Sequence, residues 1–197
     1  MNNKKKLILF DLDKTLITND TLKLLIYYLL LKDFYKFWIK IPLLIIIALR
    51  HFVSNCDHKT DTKSLFFKII LKNYNKTEIQ HFSKEFATHV FFKFKNLKIY
   101  KKLLDARKKG IETYIVTASA DFYCKYLAKL FKTKLIATKV KLNKDLGKII
   151  GKNCYGIEKK KRVLKKINKF QKRHSIFYTD SSSDIPLIEI CSKSYII

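Results

Sequence analysis

Three short hydrophobic runs in the chain are typical of buried parallel strands. Each is brief, rich in Ile, Val, Phe or Tyr, and shows no regular alternation of polar and apolar positions. The runs are Leu7–Phe10, Ile111–Val116 and Ser175–Tyr178, with Tyr195–Ile197 as a fourth and the shorter pieces Lys134–Val140 and Lys148–Ile150 predicting a strand that leads into a small hairpin. Segments with helical spacing separate them, namely Leu97–Lys109, Asp121–Phe131 and Ile157–Lys172. Strands that alternate with helices predict an α/β fold with a doubly wound, mostly parallel sheet.

Residues 21–95 carry a different pattern. Their apolar residues recur at helical spacing, the strand signal is weak, and polar breaks occur near Ser54–Ser64 and Asn73–Thr77. The pattern predicts a helical insertion, joined to the sheet domain just after the polar cluster that follows the first strand, Asp11–Thr15. Residues 1–20 and 96–197 would then form the sheet domain, and 21–95 a smaller helical domain inserted into it.

The first part of this insertion, Leu22–Leu49, is very apolar but interrupted by charged residues: Lys32, Asp33, Lys36 and Lys40. Its uninterrupted piece, Ile41–Leu49, is far shorter than the roughly 20 residues that span a bilayer. The pattern favours two amphipathic helices that pack on an apolar surface. The alternative is an interfacial helix that places Phe34, Phe37 and Trp38 at the level of lipid headgroups.

The chain is strongly basic, with 42 Lys+Arg against 16 Asp+Glu and a formal net charge of +26. Such an excess favours anionic partners such as nucleic acid, acidic lipid or phosphorylated substrates. Lysine is nevertheless spread along the whole sequence, a pattern that compositional bias of a genome also produces. Because no recognition motif accompanies the charge, we do not expect nucleic-acid binding.

The four cysteines lie far apart, at Cys56, Cys124, Cys154 and Cys191, and the histidines do not cluster. This spacing indicates neither a zinc site nor a disulfide scaffold, and favours free thiols in a reducing cytosol. The basic start of the chain precedes an apolar run that is too short for a signal peptide. We therefore expect a cytoplasmic protein, and the sequence does not indicate its oligomeric state.

A polar cluster follows each of the first three predicted strands. The clusters are Asp11-Leu-Asp-Lys-Thr15, Thr117-Ala-Ser119 and Thr179-Asp-Ser-Ser-Ser-Asp184. In doubly wound sheets the ligand site lies beyond the carboxyl ends of the strands, where all three clusters would meet. Asp11 and Asp13 repel one another there and must be solvated, paired or bound to a metal. Mg²⁺ prefers such oxygen ligands, and Asp180 and Asp184 could complete its site.

The order of these motifs resembles that of the haloacid dehalogenase superfamily, and in particular the branch that includes phosphoserine phosphatases. Four segments carry the resemblance, which covers nearly the whole chain: Phe10-Asp-Leu-Asp-Lys-Thr-Leu-Ile17, Ile115-Val-Thr-Ala-Ser119, Asn153-Cys-Tyr-Gly-Ile-Glu-Lys159 and Tyr178-Thr-Asp-Ser-Ser-Ser-Asp-Ile-Pro-Leu187. The resemblance implies a Mg²⁺-dependent phosphatase that hydrolyses a phosphate monoester of a small metabolite. The alternatives are a phosphotransferase with the same intermediate, or a membrane- or anion-binding protein with a vestigial site.

The resemblance also implies roles for individual residues. Asp11 would attack phosphorus and become an aspartyl-phosphate, and Asp13 would act first as general acid and then as general base. Mg²⁺ would be held by the Asp11 carboxylate, the main-chain carbonyl of Asp13, and Asp180. Thr117 would bind a phosphate oxygen, and Lys159 would neutralise charge on the phosphoryl group and on Asp11.

Several of these positions have alternatives. Thr117 and Ser119, with Ala118 a predicted substrate-binding segment, could instead be helix N-caps. Lys160 competes with Lys159 for the phosphate-binding role. Asp184 could be a water-mediated metal ligand, a residue that orients the lysine, or only an N-cap.

Two residues depart from the pattern of the family that the sequence resembles. Lys14 occupies a position that is most often glycine, so its side chain must point away from the phosphate or add positive charge near it. Asp20 stands where phosphoserine phosphatases usually carry a glutamate that reads the substrate amine. The insertion would act as a cap that excludes water and selects the substrate.

Overall fold

The centre of the protein is a five-stranded parallel sheet. The computed structural model describes residues 6–53, 59–168, 170 and 174–197. The strands are β1 (Lys6–Phe10), β2 (Glu112–Ala120), β3 (Lys134–Thr138), β4 (His174–Thr179) and β5 (Lys193–Ile196). Their order is β3-β2-β1-β4-β5, and every neighbouring pair is parallel. The prediction of a doubly wound parallel sheet is confirmed.

Helices surround this sheet and fill most of the chain between β1 and β2. Within the described residues they are α1 (Thr21–Lys32), α2 (Phe34–Trp38), α3 (Ile41–Val53), α4 (Lys59–Leu71), α5 (Lys76–Phe94), α6 (Leu97–Lys108), α7 (Asp121–Phe131), α8 (Ile157–Lys166) and α9 (Ile185–Ile188). Side chains next to the ends of these helices cap them, as at the start of α5. The Asn75 side chain accepts from the Glu78 N–H at 2.9 Å, and the Glu78 carboxylate accepts from the Asn75 N–H at 2.6 Å.

Apolar side chains cover both faces of the sheet. In β1, Leu7 and Leu9 pack in one cluster with the side chains of α8 and α9. Ile8 and Phe10 point the other way, into a larger cluster that includes side chains of α1, α4, α5, α6 and α7. Since both faces are buried, the strand has no polar face, which explains its continuous apolar run.

Helix α8 ends at Lys166, six residues before the predicted end at Lys172. Ile167 has an extended backbone (φ −103°, ψ 104°) and turns the chain out of the helix. The turn brings both Ile167 and Phe170 into the cluster that contains Phe177. The helix therefore ends because burying these two side chains is more favourable than continuing the helix. Residues 169 and 171–173 of the predicted helix lie outside the described residues.

The polar break expected near Ser54–Ser64 is wrong in its second half, because α4 begins at Lys59. Residues 54–58 lie outside the described part of the chain. The polar side chains at the start of α4 make contacts of their own. The Ser64 hydroxyl donates to the Thr60 carbonyl at 2.9 Å and accepts from the Ile149 N–H at 3.1 Å. The two helices expected over Leu22–Leu49 are three: α1, α2 and the start of α3.

The hairpin expected after β3 is reduced to an irregular loop. β3 itself ends at Thr138, and Val140 and Ile149 form a single antiparallel bridge. Within this loop Gly147 has a φ of +83°, and a Cβ there would lie 2.3 Å from the backbone nitrogen of Lys68 in α4. The loop therefore packs directly on the α4 backbone, and only glycine fits at this contact.

Two short segments connect helices α1–α5 with the sheet, and they pair with each other. Ile17 and Lys95 form an antiparallel bridge. The Thr18 N–H donates to the Phe94 carbonyl, and the Asn96 N–H to the Leu16 carbonyl, both at 2.8 Å. The chain thus leaves and re-enters the sheet region at one place. Among the described residues, no helix is both long enough and apolar enough to cross a bilayer.

Candidate active site

The polar clusters meet at one edge of the sheet, as the topology requires. In the register, Phe10 of the central strand pairs with Ile115 of β2 and with Tyr178 of β4. The residues after these positions therefore emerge side by side. The Asp11 N–H continues the ladder and donates to the Tyr178 carbonyl at 2.8 Å.

Asp11, Lys159 and Asp184 form a buried charged group at this edge. The Lys159 ammonium lies 3.0 Å from Asp11 Oδ1 and 2.7 Å from Asp184 Oδ2. The three residues are between 0% and 6% exposed. The neighbouring Lys160 lies 3.9 Å from Glu189 instead. Of the two candidate lysines, the structure brings Lys159 to Asp11.

Burial dominates the electrostatics of this group. It raises the pKa of Asp11 to about 7, against the opposing attraction of Lys159. Burial alone would lower the pKa of Lys159, but Asp11 and Asp184 outweigh it and hold that pKa above its ordinary range. Two carboxylates thus share one ammonium, so the site favours a further cation or a proton.

Asp13 is held by the start of α1 and by β2. Its Oδ1 accepts from the Thr21 N–H and its Oδ2 from the Ser119 hydroxyl, both at 2.6 Å. Burial raises the pKa of Asp13, and these hydrogen bonds oppose the rise. The carboxyl group is thereby fixed in orientation close to Asp11, and its raised pKa favours the protonated form more than in a free carboxyl group.

The segment from Thr117 to Ser119 lies where β2 departs from regular pairing. The register with β3 shifts between Val116 and Ala120. Thr117 is fully buried, and its Oγ1 accepts from the Ser119 N–H at 3.0 Å. The N-cap residue of α7 is Ala120, which has no side-chain capping bond. Neither Thr117 nor Ser119 therefore caps that helix. The Ala118 carbonyl accepts hydrogen bonds from side chains of other parts of the chain.

Asp184 orients the lysine in this structure. Its Oδ2 accepts from the Thr179 hydroxyl at 2.7 Å as well as from Lys159. It is the N-cap residue of α9 but makes no side-chain capping bond. Its Oδ1 is buried, and no donor among the described residues reaches it. A buried carboxylate oxygen without a donor is costly unless a cation or water approaches it.

Asp20, Lys14 and Thr15 lie around the first motif. The Asp20 carboxylate caps α1, accepting from the N–H groups of Leu22 and Lys23 at 2.9 and 3.0 Å. Lys14 is exposed and adopts a φ of +53°, the left-handed region. This backbone conformation costs glycine nothing, which explains why glycine is common at this place in proteins with the same motif. Thr15 is fully buried.

The oxygen atoms at this edge fit a hard divalent cation. The candidates are the carboxylates of Asp11, Asp180 and Asp184 and the main-chain carbonyl of Asp13. Asp184 Oδ1 is buried and has no hydrogen-bond donor among the described residues. Among the described residues no three His, Cys, Asp or Glu side chains already converge on one point. A cation here would use a main-chain oxygen and water besides these carboxylates, as Mg²⁺ commonly does.

The sequence did not single out Lys63, which α4 brings to the same edge. Its ammonium donates to the Ala118 carbonyl at 2.7 Å and to Asn153 Oδ1 at 3.3 Å. Burial lowers the pKa of Lys63, although Asp13 and Asp20 oppose this. Both hydrogen-bond acceptors are neutral, so the position suits an anionic group of a ligand. In a chain this rich in lysine, no sequence signal distinguishes Lys63 from the others.

Two threonines were also missed as supports of the site. The Thr138 hydroxyl lies 2.7 Å from the Ala118 carbonyl and 2.8 Å from Asn153 Oδ1, two acceptors that compete for its one proton, and so links β3 to the predicted substrate-binding segment. Thr21 lies buried, with its hydroxyl 3.0 Å from that of Ser119. Both are ordinary helix or strand residues in sequence, and only the tertiary contacts identify them.

Comparison with known protein families gives a match over most of the chain. A family model described as haloacid dehalogenase-like hydrolase matches residues 8–189. Among curated proteins, no sequence matches significantly.

Several solved structures share the fold. A protein of unknown function from Bordetella pertussis Tohama I has a TM-score of 0.82 at 21% identity, covering 98% of this chain and 90% of that one. A phosphoserine phosphohydrolase-like protein from Francisella tularensis subsp. tularensis SCHU S4 has a TM-score of 0.60 at 20% identity, covering 97% and 86%. A substrate-bound phosphoserine phosphatase has a TM-score of 0.63 at 15% identity, covering 98% and 86%. At these identities the likeness concerns the fold.

Proposed function

This chain belongs to the haloacid dehalogenase-like hydrolases, and from that premise we propose that it is a phosphatase that hydrolyses a phosphate monoester through an aspartyl-phosphate on Asp11. One observation carries the proposal. The Asp11 carboxylate, at the end of the central strand, lies 3.0 Å from an ammonium that Asp184 fixes from its other side. A nucleophile beside a positioned cation is the arrangement that phosphoryl transfer needs.

The residues would divide the reaction between them. Asp11 Oδ1 accepts from the Leu12 N–H and contacts Lys159, so Oδ2 is the attacking oxygen. Attack forms the Oδ2–P bond and breaks the bond from phosphorus to the leaving oxygen, which takes a proton from Asp13. Asp13 then removes a proton from water, and the water oxygen attacks phosphorus. This forms a new O–P bond and breaks the Oδ2–P bond, which releases inorganic phosphate and restores the Asp11 carboxylate. Thr117 and Lys159 would hold the phosphoryl oxygens in both steps.

Mg²⁺ is the cofactor that we propose for this site. The ligands would be Asp11, the Asp13 carbonyl, Asp180 and, directly or through water, Asp184. When bound, the ion supplies positive charge that draws an anionic phosphate towards an anionic nucleophile.

We assign residues 1–20 and 96–197 to a catalytic core and residues 21–95 to a cap. The paired segments at Ile17 and Lys95 support this division, because they are the place where the chain passes between the two parts. α1 and α4 from the cap supply the Thr21 N–H and the Lys63 ammonium to the site. The cap would therefore contribute to positioning the general acid and to choosing a small phosphorylated substrate, for which Asp20 and the segment from Thr117 to Ser119 are further contacts.

Release of inorganic phosphate from p-nitrophenyl phosphate and a panel of phosphorylated metabolites tests the function. We expect release with Mg²⁺ and loss of release when a chelator removes the ion, with recovery on adding Mg²⁺ back. Transfer of the phosphoryl group to an acceptor instead of water would identify a phosphotransferase. Undiminished release in chelator would contradict the metal assignment.

Replacing Lys63 with methionine tests the contribution of the cap. For a substrate whose leaving group carries a negative charge of its own, in addition to the phosphate, we expect KM to rise by about tenfold or more. This is the value of a lost hydrogen bond to a charged group. The value of kcat and the rate with p-nitrophenyl phosphate should change little. Lys72→Met is the matched control, since Lys72 is exposed directly after α4. An equal loss of activity with p-nitrophenyl phosphate and with substrates that carry a charged leaving group would show that Lys63 only supports the fold.

A further inference from the structure

An exposed apolar surface lies on helices α1–α3. It consists of the nine large hydrophobic side chains between Tyr27 and Ile46 that are exposed, and we call this set the apolar surface. Tyr35 is 88% exposed and Ile39 82%. Within the described residues, almost half of all exposed large hydrophobic side chains fall in this tenth of the chain. Single exposed hydrophobic residues are ordinary, but such a concentration marks an interaction surface.

Packing among the described residues does not account for the apolar surface. α1 already places Leu25 and Leu29 in the core. Its other side carries Tyr27 and Leu31, four residues apart and both more than half exposed. A helix that meets only water would carry polar residues there. α3 shows the same division, because Ile47 is buried and Ile46 is 61% exposed.

Three aromatic residues of the apolar surface lie close together. The Phe34 ring lies 5.4 Å from the Trp38 ring and 6.0 Å from the Tyr35 ring, measured between centroids. Tryptophan and tyrosine are the side chains most favoured at the boundary between water and lipid, where an apolar ring and a polar group are both accommodated.

The segment that carries the apolar surface is basic. Residues 21–53 contain five basic residues and one acidic residue, within a chain of formal net charge +26. Of these, Lys23 is exposed, Lys32 is exposed and pairs with Glu85, and Lys40 is buried. Basic residues that flank an interfacial apolar helix add attraction to anionic headgroups.

We propose that the apolar surface docks on the headgroup region of a bilayer that contains anionic lipid. Its helices lie in the plane of the membrane. α3 has 13 residues and is about 20 Å long, too short for a hydrocarbon core of about 30 Å. The interfacial alternative for Leu22–Leu49 is thereby preferred to packing against another part of this chain.

Docking would also fix the orientation of the candidate active site. α1 begins at Thr21, whose N–H holds Asp13, and continues for 12 residues, about 18 Å, towards the apolar surface. A docked protein would therefore hold the site about 20 Å or less from the bilayer surface. The inference does not depend on the proposed reaction, since binding can be measured without turnover.

Co-sedimentation with vesicles tests the proposal. At physiological salt we expect the protein to sediment with vesicles of phosphatidylcholine mixed with phosphatidylglycerol. The double variant Tyr35→Ser/Trp38→Ser should reduce the partition coefficient about tenfold or more, because two large apolar side chains no longer leave water. Leu97→Ser is the matched control. Leu97 is 69% exposed at the start of α6, outside the apolar surface, and its replacement should leave binding unchanged.

Three results would overturn the proposal. The first is absence of binding to the mixed vesicles. The second is equal binding by the double variant, which would assign binding to scattered lysines. The third is a dimer in sedimentation velocity that the double variant dissociates, which would make a second copy of the chain the occupant. Circular dichroism of each variant establishes that it is folded, as expected for substitutions at exposed positions.

Discussion

Asp11→Asn is expected to reduce phosphate release by roughly 10⁴-fold or more, the scale seen when a covalent nucleophile is removed. The amide is too weak a nucleophile to form the phosphoryl intermediate, although it has nearly the same shape as the carboxylate. Phosphate release at saturating Mg²⁺ measures the effect. Activity close to that of the wild type, in a preparation free of other phosphatases, would show that Asp11 is not the nucleophile.

The same variant should not lose stability in the absence of metal, which separates a chemical defect from unfolding. Burial raises the pKa of Asp11 from its ordinary value of 3.8 to about 7 in the folded protein. A group with a raised pKa contributes stability at low pH, and that contribution is lost as pH rises from about 4 to about 7. Asparagine has no charge to desolvate. At pH 8 in chelator, the melting temperature of the variant should therefore equal or exceed that of the wild type.

Lys159→Met is expected to lower both activity and stability. Loss of the ammonium beside Asp11 removes charge stabilisation worth about 10²- to 10³-fold in kcat. It also leaves Asp11 and Asp184 buried without their counter-ion, a change that costs about 3–5 kcal/mol when one partner of a buried pair is removed. Phosphate release and thermal unfolding measure the two effects separately.

Lys160→Met provides the control for this prediction. It removes the same charge from the next position of α8, where the ammonium lies 3.9 Å from Glu189 at the surface. We expect near-normal activity and stability. If the two variants behaved alike, the assignment of the phosphate-binding lysine to Lys159 would have to be abandoned.

The sheet and the meeting of the polar clusters at one edge of it could be predicted because both follow from strong local signals. A run such as Leu7–Phe10, apolar at every position, is required of a strand buried on both faces, and the polar residues that follow it mark its carboxyl end. Once the strands are parallel, these ends must share one edge. The placing of Asp11, Thr117 and Asp184 after neighbouring strands, or at their ends, needed no further information than this.

The contacts that support the site could not be predicted, since they depend on tertiary packing. Lys63 reaches Ala118 only because α4 begins at Lys59, within a stretch whose polar composition indicated a break. α8 stops at Lys166 because Ile167 and Phe170 are buried, although the lysine-rich pattern continues as a helix would. The ends of helices, and the residues that a side chain contacts, depend on which side chains are buried in the folded protein. The local spacing of apolar residues does not give this information.

The position of the single tryptophan decides what intrinsic fluorescence can report. Trp38, in α2, is the one tryptophan of the chain and is 62% exposed. Its emission therefore describes the surroundings of α2, while circular dichroism averages over every helix and strand. If helices α1–α3 melt before the sheet, the two signals will give different midpoints. A single unfolding curve recorded at tryptophan wavelengths would then describe a part of the protein and leave the sheet unobserved.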